Sequence, residues 1–470
     1  MNLTLKVGIF AVILFCPLSI FFSVFSSSGQ IAEGKLPLVE PLLWILLLLF
    51  LLRCRKNSGM KSVALPPPPI IAFLLVVCLS SITSQNPIDS LKEMLQCFDY
   101  YFIFFLLLTN CLDPRDDRKL ILLALFLLSG AVITFAAVQI MSHGDKPFLI
   151  SSLLDNRNIL GSFLIILLPF CYGILIASNE RSLVLVSASI ISTGILINTA
   201  WVSLVVLIVP LAVMSCLNAT RRSIIYFSLF AVLIGLCLVV RFSGASSREL
   251  LFETRSIEAY HDTIEKNVGM IQRRELLTIE PKKDFIIVLS TSAEIPDYRS
   301  PEYANAVEKT RQARSRDAFI KGKSQIGQRL LEWQAALNML ERHYFLGVGP
   351  GNYQKDLGYY FRGFPKLNTL EPDTQNGYLV TTASTGFIGL AVFIWMIIHF
   401  WALARKGITE KVGDLQKGYR LGILGAMLAF IMINMLYNAS NHHATIVILV
   451  LLMALSNLER KKEIPRLHEK

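Results

Sequence analysis

The sequence is short of charged residues. Only 17% of its 470 residues are charged, whereas an average soluble domain is about one quarter charged. Together with a hydrophobic content of 53% and a mean hydropathy of +0.54, this shortage excludes a disordered chain, a collagen, a coiled coil and a small disulfide scaffold. The apolar runs instead indicate one large polytopic membrane protein.

Several chemical signatures are also missing. No histidine and cysteine cluster has the spacing of a zinc site, and Gly322-Lys-Ser324 lacks the upstream glycine of a phosphate-binding loop. Residues 242–376 contain no cysteine, so no disulfide framework is available there. We predict no metal and no cofactor. We also predict no nucleic-acid partner, because a net charge of +11 is expected from basic cytoplasmic loops alone.

What is present is a series of long apolar runs. A membrane-spanning helix needs about 20 mostly apolar residues, and that window predicts an all-α fold of about twelve transmembrane helices. These are residues 7–25, 37–52, 66–84, 95–112, 120–141, 159–177, 183–198, 200–217, 223–241, 377–402, 420–437 and 442–457. The run at 95–112 contains Asp99, and an interfacial amphipathic helix is the alternative there.

Lysine and arginine set the orientation. They collect on alternate loops, for example at 53–61, 115–119 and 405–420, so the positive-inside rule places both termini in the cytoplasm. We predict three parts: an N-terminal bundle of about nine helices over 1–241, an extracytoplasmic, mostly helical loop domain over 242–376, and a C-terminal part with about three helices and a cytoplasmic tail over 377–470.

The loop domain contains a helix with one apolar face. The face is formed at helical spacing by Ile326, Leu330, Trp333, Leu337 and Leu340. Arg329 lies one turn before Trp333, so its guanidinium can stack on the indole. The helix is predicted to end at His343, ahead of a loop at 346–353 whose three glycines permit tight turns. The simpler interpretation is an amphipathic helix with a glycine C-cap.

Polar residues lie at the predicted outer ends of the last spans. Asp373, Gln375 and Asn376 precede span ten, and His442 and His443 precede span twelve. Such groups either cap helices at the interface or face a cavity. Both interpretations stay open for each residue.

An ordered set of motifs resembles the O-antigen ligase and polymerase superfamily. The motifs are Arg329-x3-Trp333, Gly347-x-Gly349, Gln375-Asn376-x2-Leu379 and Gly386-x2-Gly389, and Asn156-Arg-Asn158 is similar to that family's asparagine-rich entry. The resemblance implies a bacterial inner-membrane glycosyltransferase that needs no metal. Its partners would be an undecaprenyl-diphosphate-linked glycan, a lipid or saccharide acceptor and the lipid bilayer.

The resemblance also implies residue roles. Arg329 would bind the diphosphate, with Arg157 assisting and Trp333 and Asp373 lining the substrate site, while Gln375 and Asn376 would position the acceptor. Gln375 stands where the family has a histidine, and an amide is no base near neutral pH. We therefore take His442 and His443 as substitute bases, with Asp373 and the weaker His261 as further candidates.

A second departure is Asn198-Thr-Ala-Trp201, which replaces a frequent Ser-Arg-Gly. The expected activity is transfer of the lipid-linked glycan to lipid A–core or to a growing polysaccharide. A polysaccharide polymerase of the same superfamily is the alternative. From other classes, a small-solute transporter and an inactive scaffold remain possible interpretations of the same sequence.

Overall fold

A computed structural model describes residues 3–25, 31–56, 63–84, 86–113, 116–142, 152–154, 157–198, 200–245, 325–353, 356, 360, 376–406 and 413–461. The chain divides into two compact units. The first comprises 1–240, 336–355 and 373–470, and the second comprises 241–335 and 356–372. The predicted boundaries at 241 and 376 stay a prediction.

The described part of the chain consists mainly of helices. In chain order they are α1 (Leu3–Phe15), α2 (Val39–Lys56), α3 (Pro68–Ile82), α4 (Pro87–Cys97), a π-helical turn (Phe98–Phe104), α5 (Phe105–Cys111), α6 (Arg118–Ser142), α7 (Arg157–Ala177), α8 (Arg181–Ile197), α9 (Trp201–Asn218) and α10 (Arg221–Ala245). The later helices are α11 (Gln325–Arg342), α12 (Gly377–Lys406), α13 (Asp414–Ile433), a short 3₁₀ turn (Ala439–Asn441) and α14 (His443–Lys461). Two of these helices extend into the second unit, because α10 ends there and α11 begins there.

Within the described part of the chain, five helical segments are long and apolar enough to cross a membrane. They are Pro87–Cys111, Arg118–Ser142, Asn158–Ala177, Arg221–Val240 and Gly377–Lys406. The segment around Asp99 is thus among the candidate spans, and it starts earlier than the predicted residue 95. A multi-pass helical membrane protein is confirmed at this level, while twelve spans and their orientation stay predictions.

The prediction of one helix over 7–25 is wrong. Helix α1 ends at Phe15, and Ser19–Phe25 (β1) pairs with Ile31–Pro37 (β2) in an antiparallel hairpin. Pro17 explains the end of the helix, because proline lacks the N–H that a helix interior needs and disfavours helical geometry at the preceding residue. Five of the seven residues of β1 are aromatic or β-branched, which suits a strand.

Helices α7 and α13 cross with their backbones close together. A Cβ built on Gly173 would lie 2.5 Å from the Gly418 carbonyl oxygen and 2.6 Å from the Gly422 Cα. Gly418 and Gly422 are four residues apart, which is the small-residue spacing that lets two membrane helices approach backbone to backbone. This crossing joins the N-terminal bundle to the C-terminal helices within the first unit.

Candidate active site

The two glycine motifs of the sequence pack on each other. Helix α12 is broken at Gly386, whose φ of 70° and ψ of −176° are not helical. The break leaves helical carbonyls without their usual donors, and the glycine loop supplies new ones. Val348 N–H donates to the Ala383 oxygen at 2.9 Å, and Gly349 N–H donates to the Ser384 oxygen at 3.0 Å.

A hydrogen bond in the opposite direction joins the same two segments. Phe387 N–H, which has lost its helical acceptor, donates to the Tyr344 carbonyl at 3.0 Å. The contact is so close that a Cβ on Gly386 would lie 2.5 Å from the Leu346 nitrogen, and a Cβ on Gly347 would lie 2.5 Å from the Ala383 oxygen. Only glycine fits these two positions, since both also have positive φ.

Polar side chains from the first half of the chain hold the same loop. The Ser80 hydroxyl lies 2.6 Å from the Leu346 carbonyl and 2.8 Å from the Ser384 carbonyl. The buried Asn352 amide nitrogen contacts Ser84 and donates to the Ser90 hydroxyl at 3.0 Å. The loop therefore bridges α3, α4 and α12, which are far apart in sequence.

Beside this junction lies a cavity of about 120 Å³. It is lined by the loop, α3, α4, the π-helical turn, α12 and the start of α14. Its polar lining includes Glu93, Gln96, Tyr100, Ser384, Thr385 and His443. A volume of this size holds several water molecules, but it is smaller than the roughly 300–1,000 Å³ of a pocket for a whole small-molecule ligand. It suits the reacting groups rather than a whole glycan.

A carboxylate outside the lining orients two of these side chains. The Glu40 Oε1 accepts a hydrogen bond from the Gln96 amide at 2.7 Å and from the Tyr100 hydroxyl at 3.3 Å. Tyr100 belongs to the π-helical turn, and such turns occur frequently at functional sites because they shift side chains out of helical register. Glu40 thus fixes the orientation of Gln96 and Tyr100 at one wall of the cavity.

Of the predicted bases, His443 lines the cavity and His442 does not. Both follow α13, but the His442 carbonyl accepts the Ile446 N–H at 3.0 Å, and His443 is the first residue of α14. The interface-cap interpretation of this pair therefore fits the backbone of His442. His443 is placed beside the polar lining described above.

Asn376 acts as a helix cap. Its Oδ1 accepts the backbone N–H groups of Tyr378 at 3.1 Å and Leu379 at 3.2 Å. These are the contacts of an N-cap residue, so its amide oxygen is already engaged. The cap interpretation left open by the sequence is the one the geometry supports.

Several of the other predicted residues lie outside the part of the chain that the structure describes. Asp373, Gln375 and His261 lie outside the described residues. Arg157 and Arg329 lie in the helices α7 and α11, of which only the backbone is described there. Trp333 is partly buried on α11. On α11, Leu337 of the predicted apolar face is 49% exposed, whereas Leu340 and the neighbouring Ala336 and Met339 are buried.

His343 follows α11 and leads into the loop. Burial, and then the positive charge of Arg342, lower the pKa of His343 below its ordinary value. Its backbone is part of the junction, because Gly347 N–H donates to the His343 carbonyl at 3.0 Å. A neutral imidazole is therefore favoured at the point where the helix meets the loop.

Sequence reasoning missed Glu93, Gln96 and Tyr100. A usable signal was present in α4, where Ile88, Leu91 and Leu95 recur at helical spacing and are exposed. That spacing leaves Glu93 and Gln96 on the opposite face. Polar residues on the inner face of a predicted membrane helix are a recognised sign of a functional site.

The helices and the cavity define a polytopic helical membrane protein with a candidate site built from distant segments. The family model described as O-Antigen ligase matches residues 163–394. This match supports the resemblance of the chain to the O-antigen ligase/polymerase superfamily. The match includes the glycine loop and the helix break, whereas Glu93 and His443 lie outside it. The search of curated proteins found no match to the chain.

Proposed function

We propose that the protein is a membrane glycosyltransferase. It transfers a glycan from a polyprenyl diphosphate, undecaprenyl diphosphate in a bacterium, to a hydroxyl of lipid A–core or of a growing polysaccharide. The reaction takes place on the periplasmic side of the inner membrane, with both termini of the chain in the cytoplasm. The superfamily supports glycan transfer in general, and the donor, acceptor and location are the proposal.

One observation carries the catalytic part of the proposal. His443 and Glu93 line the same cavity, next to the junction of the two family glycine motifs. The superfamily histidine is replaced by Gln375, so a base is needed from another part of the chain. An imidazole with a carboxylate in the same cavity is a suitable combination of groups for that role.

The chemistry then follows from these groups. The acceptor O–H gives its proton to the His443 imidazole while its oxygen forms a bond to the anomeric carbon. The bond from that carbon to the diphosphate oxygen breaks, and the electron pair leaves with the diphosphate. A positive charge on His443 is unfavourable at the N-terminus of α14, and the Glu93 carboxylate in the same cavity offsets it.

The departing diphosphate needs positive charge. Arg329 and Arg157 are our proposed ligands, because a guanidinium binds phosphate oxygens in a bidentate manner and needs no metal ion to do so. Trp333 stacks on Arg329 in this proposal, and Asp373 and Gln375 contribute to the acceptor site. These roles rest on the motif resemblance.

The experiment uses the full chain in lipid vesicles with an undecaprenyl-diphosphate-linked glycan and an acceptor. We expect His443→Asn and Glu93→Gln each to slow transfer, by about 10²–10⁴-fold for the base. His399→Asn is the matched control, because His399 lies on α12 and is not part of the cavity lining. If His443→Asn retains full activity, the base assignment fails. If the unsubstituted protein transfers nothing, the function fails.

A polymerase of the same superfamily is the second candidate, favoured by Gln375 in place of the ligase-like histidine. Deleting the gene and separating the surface polysaccharide on a gel distinguishes the two. Loss of long chains with a single repeat retained indicates a polymerase, and full-length polymer left on its lipid carrier indicates a ligase. An unaltered glycan pattern would contradict both.

A further inference from the structure

The exposed surface of α12 changes abruptly at the helix break. None of the residues from Gly377 to Gly386 is exposed. Immediately after the break an exposed apolar face begins, formed by Phe387, Ile388, Ala391, Ile394, Trp395 and Ile398. Because α12 is a candidate membrane span, this face is the part of the helix that is available to lipid.

The length of this second part matches a bilayer. Residues 387–404 extend for about 27 Å at roughly 1.5 Å per residue, close to the roughly 30 Å of a hydrocarbon core. Arg405 and Lys406 follow directly, and the Arg405 guanidinium lies 5.8 Å from the Trp401 ring centre. Tryptophan and basic residues are typical of a membrane–water interface, so the other interface falls near Phe387.

Two loop residues extend the lipid-facing surface at that level. Tyr344 and Phe345 are 54% and 67% exposed. The Tyr344 ring lies 4.6 Å from the Phe387 ring, and the Tyr344 carbonyl accepts the Phe387 N–H. Tyr344 and Phe345 are thus held at the depth of Phe387 by the same junction that holds the glycine loop.

We propose that Tyr344 and Phe345 form an aromatic anchor that inserts among the lipid chains at the membrane–water boundary. The lipid occupant is favoured by continuity, since the anchor adjoins the exposed apolar face of α12. Tyrosine is enriched at this boundary because its ring is apolar and its hydroxyl can reach water. The wholly apolar ring of Phe345 is instead stabilised by contact with the lipid chains. This inference concerns membrane contact and goes beyond the proposed reaction.

The anchor also determines the level of the cavity. Thr381, Ser384 and Thr385 line the cavity and lie two to six residues before Phe387, on the other side of the helix break at Gly386. The polar layer outside the hydrocarbon is about 5–8 Å thick on each side. The cavity therefore lies within a few residues of the membrane boundary that the anchor marks.

Photocrosslinking in the full chain tests this. p-Benzoylphenylalanine is placed at position 345, at Ile398 as a mid-span control and at the exposed, charged Glu341 as a water-facing control. The protein is reconstituted in phosphatidylethanolamine and phosphatidylglycerol vesicles and irradiated. We expect the mass of one phospholipid to be added at positions 345 and 398, and no lipid adduct at 341.

The absence of a lipid adduct at position 345 would overturn the proposal. A crosslink from position 345 to another part of the chain, or to a second copy of it, would also overturn it. Substitution at Tyr344 provides a second variant if the first is not produced. Because the readout is a mass change and not transfer, its failure is distinguishable from failure of the proposed function.

Discussion

Replacing Gly386 with alanine should detach the glycine loop from α12. The φ and ψ of this residue lie in a region that is essentially restricted to glycine, at a cost of about 1–3 kcal/mol for other residues. The added Cβ would also lie 2.5 Å from the Leu346 nitrogen, and backbone atoms cannot rotate away. The three backbone hydrogen bonds of the junction, worth roughly 0.5–1.5 kcal/mol each, would be lost with the contact.

We therefore expect the junction to be weakened by about 3 kcal/mol or more, which corresponds to about a hundredfold change in the equilibrium for loop opening. Hydrogen exchange of the Val348 and Gly349 amides measures this directly, because these amides donate to Ala383 and Ser384. Their exchange should become about a hundredfold faster, and glycan transfer should fall with it.

The matched control is Gly130→Ala. No atom lies within 4 Å of a Cβ built at that position, and alanine in a helix interior is favoured over glycine by about 1 kcal/mol. That variant should be as stable as the unsubstituted protein or slightly more so. Unchanged exchange of the Val348 and Gly349 amides in folded Gly386→Ala protein would refute the account of the junction.

Three further predictions follow from other contacts. Gly173→Ala should destabilise the fold by about 1–3 kcal/mol, because the added Cβ would meet the Gly422 backbone. Thermal unfolding in detergent should then show a lower midpoint. The control Gly235→Ala should leave the midpoint unchanged, because no atom lies within 4 Å of a Cβ built there. Asn352→Leu should cost about 1–3 kcal/mol through lost and unpaired hydrogen-bonding groups, visible as faster proteolysis of the loop. The lowered pKa of His343 means that the folded state binds fewer protons, so stability should fall as the pH drops below about 6.5. His343→Gln should flatten that pH dependence, and an unchanged pH profile would contradict the prediction.

Much of the helical architecture could be predicted from the sequence. Each of the twelve apolar runs contains a helix, because long apolar segments leave helical hydrogen bonding as the main way to satisfy the backbone. The error at residues 7–25 arose where pairing with the neighbouring segment decides the local structure. Residues 19–25 form a strand because they pair with residues 31–37. A hydropathy window that reads one segment at a time does not detect such pairing.

The site was only partly accessible to sequence reasoning. His443 could be selected by its chemistry and its place at a helix end. Glu93 and Ser90 could not be linked to the loop, because the contacts between α4 and residues 351–352 join segments more than 250 residues apart. The glycine motifs were visible as separate patterns, but their mutual packing depends on the broken helix and required three-dimensional information.

The interlocking of residues 344–349 with 383–387 has a consequence for building hybrid proteins. Each segment supplies the donors or acceptors that the other has lost, so neither is a self-contained module. A chimaera that receives the loop from a relative without the corresponding stretch of α12 would combine mismatched halves. Grafting both stretches as one cassette should preserve the fit, and domain-exchange experiments should choose their cut points accordingly.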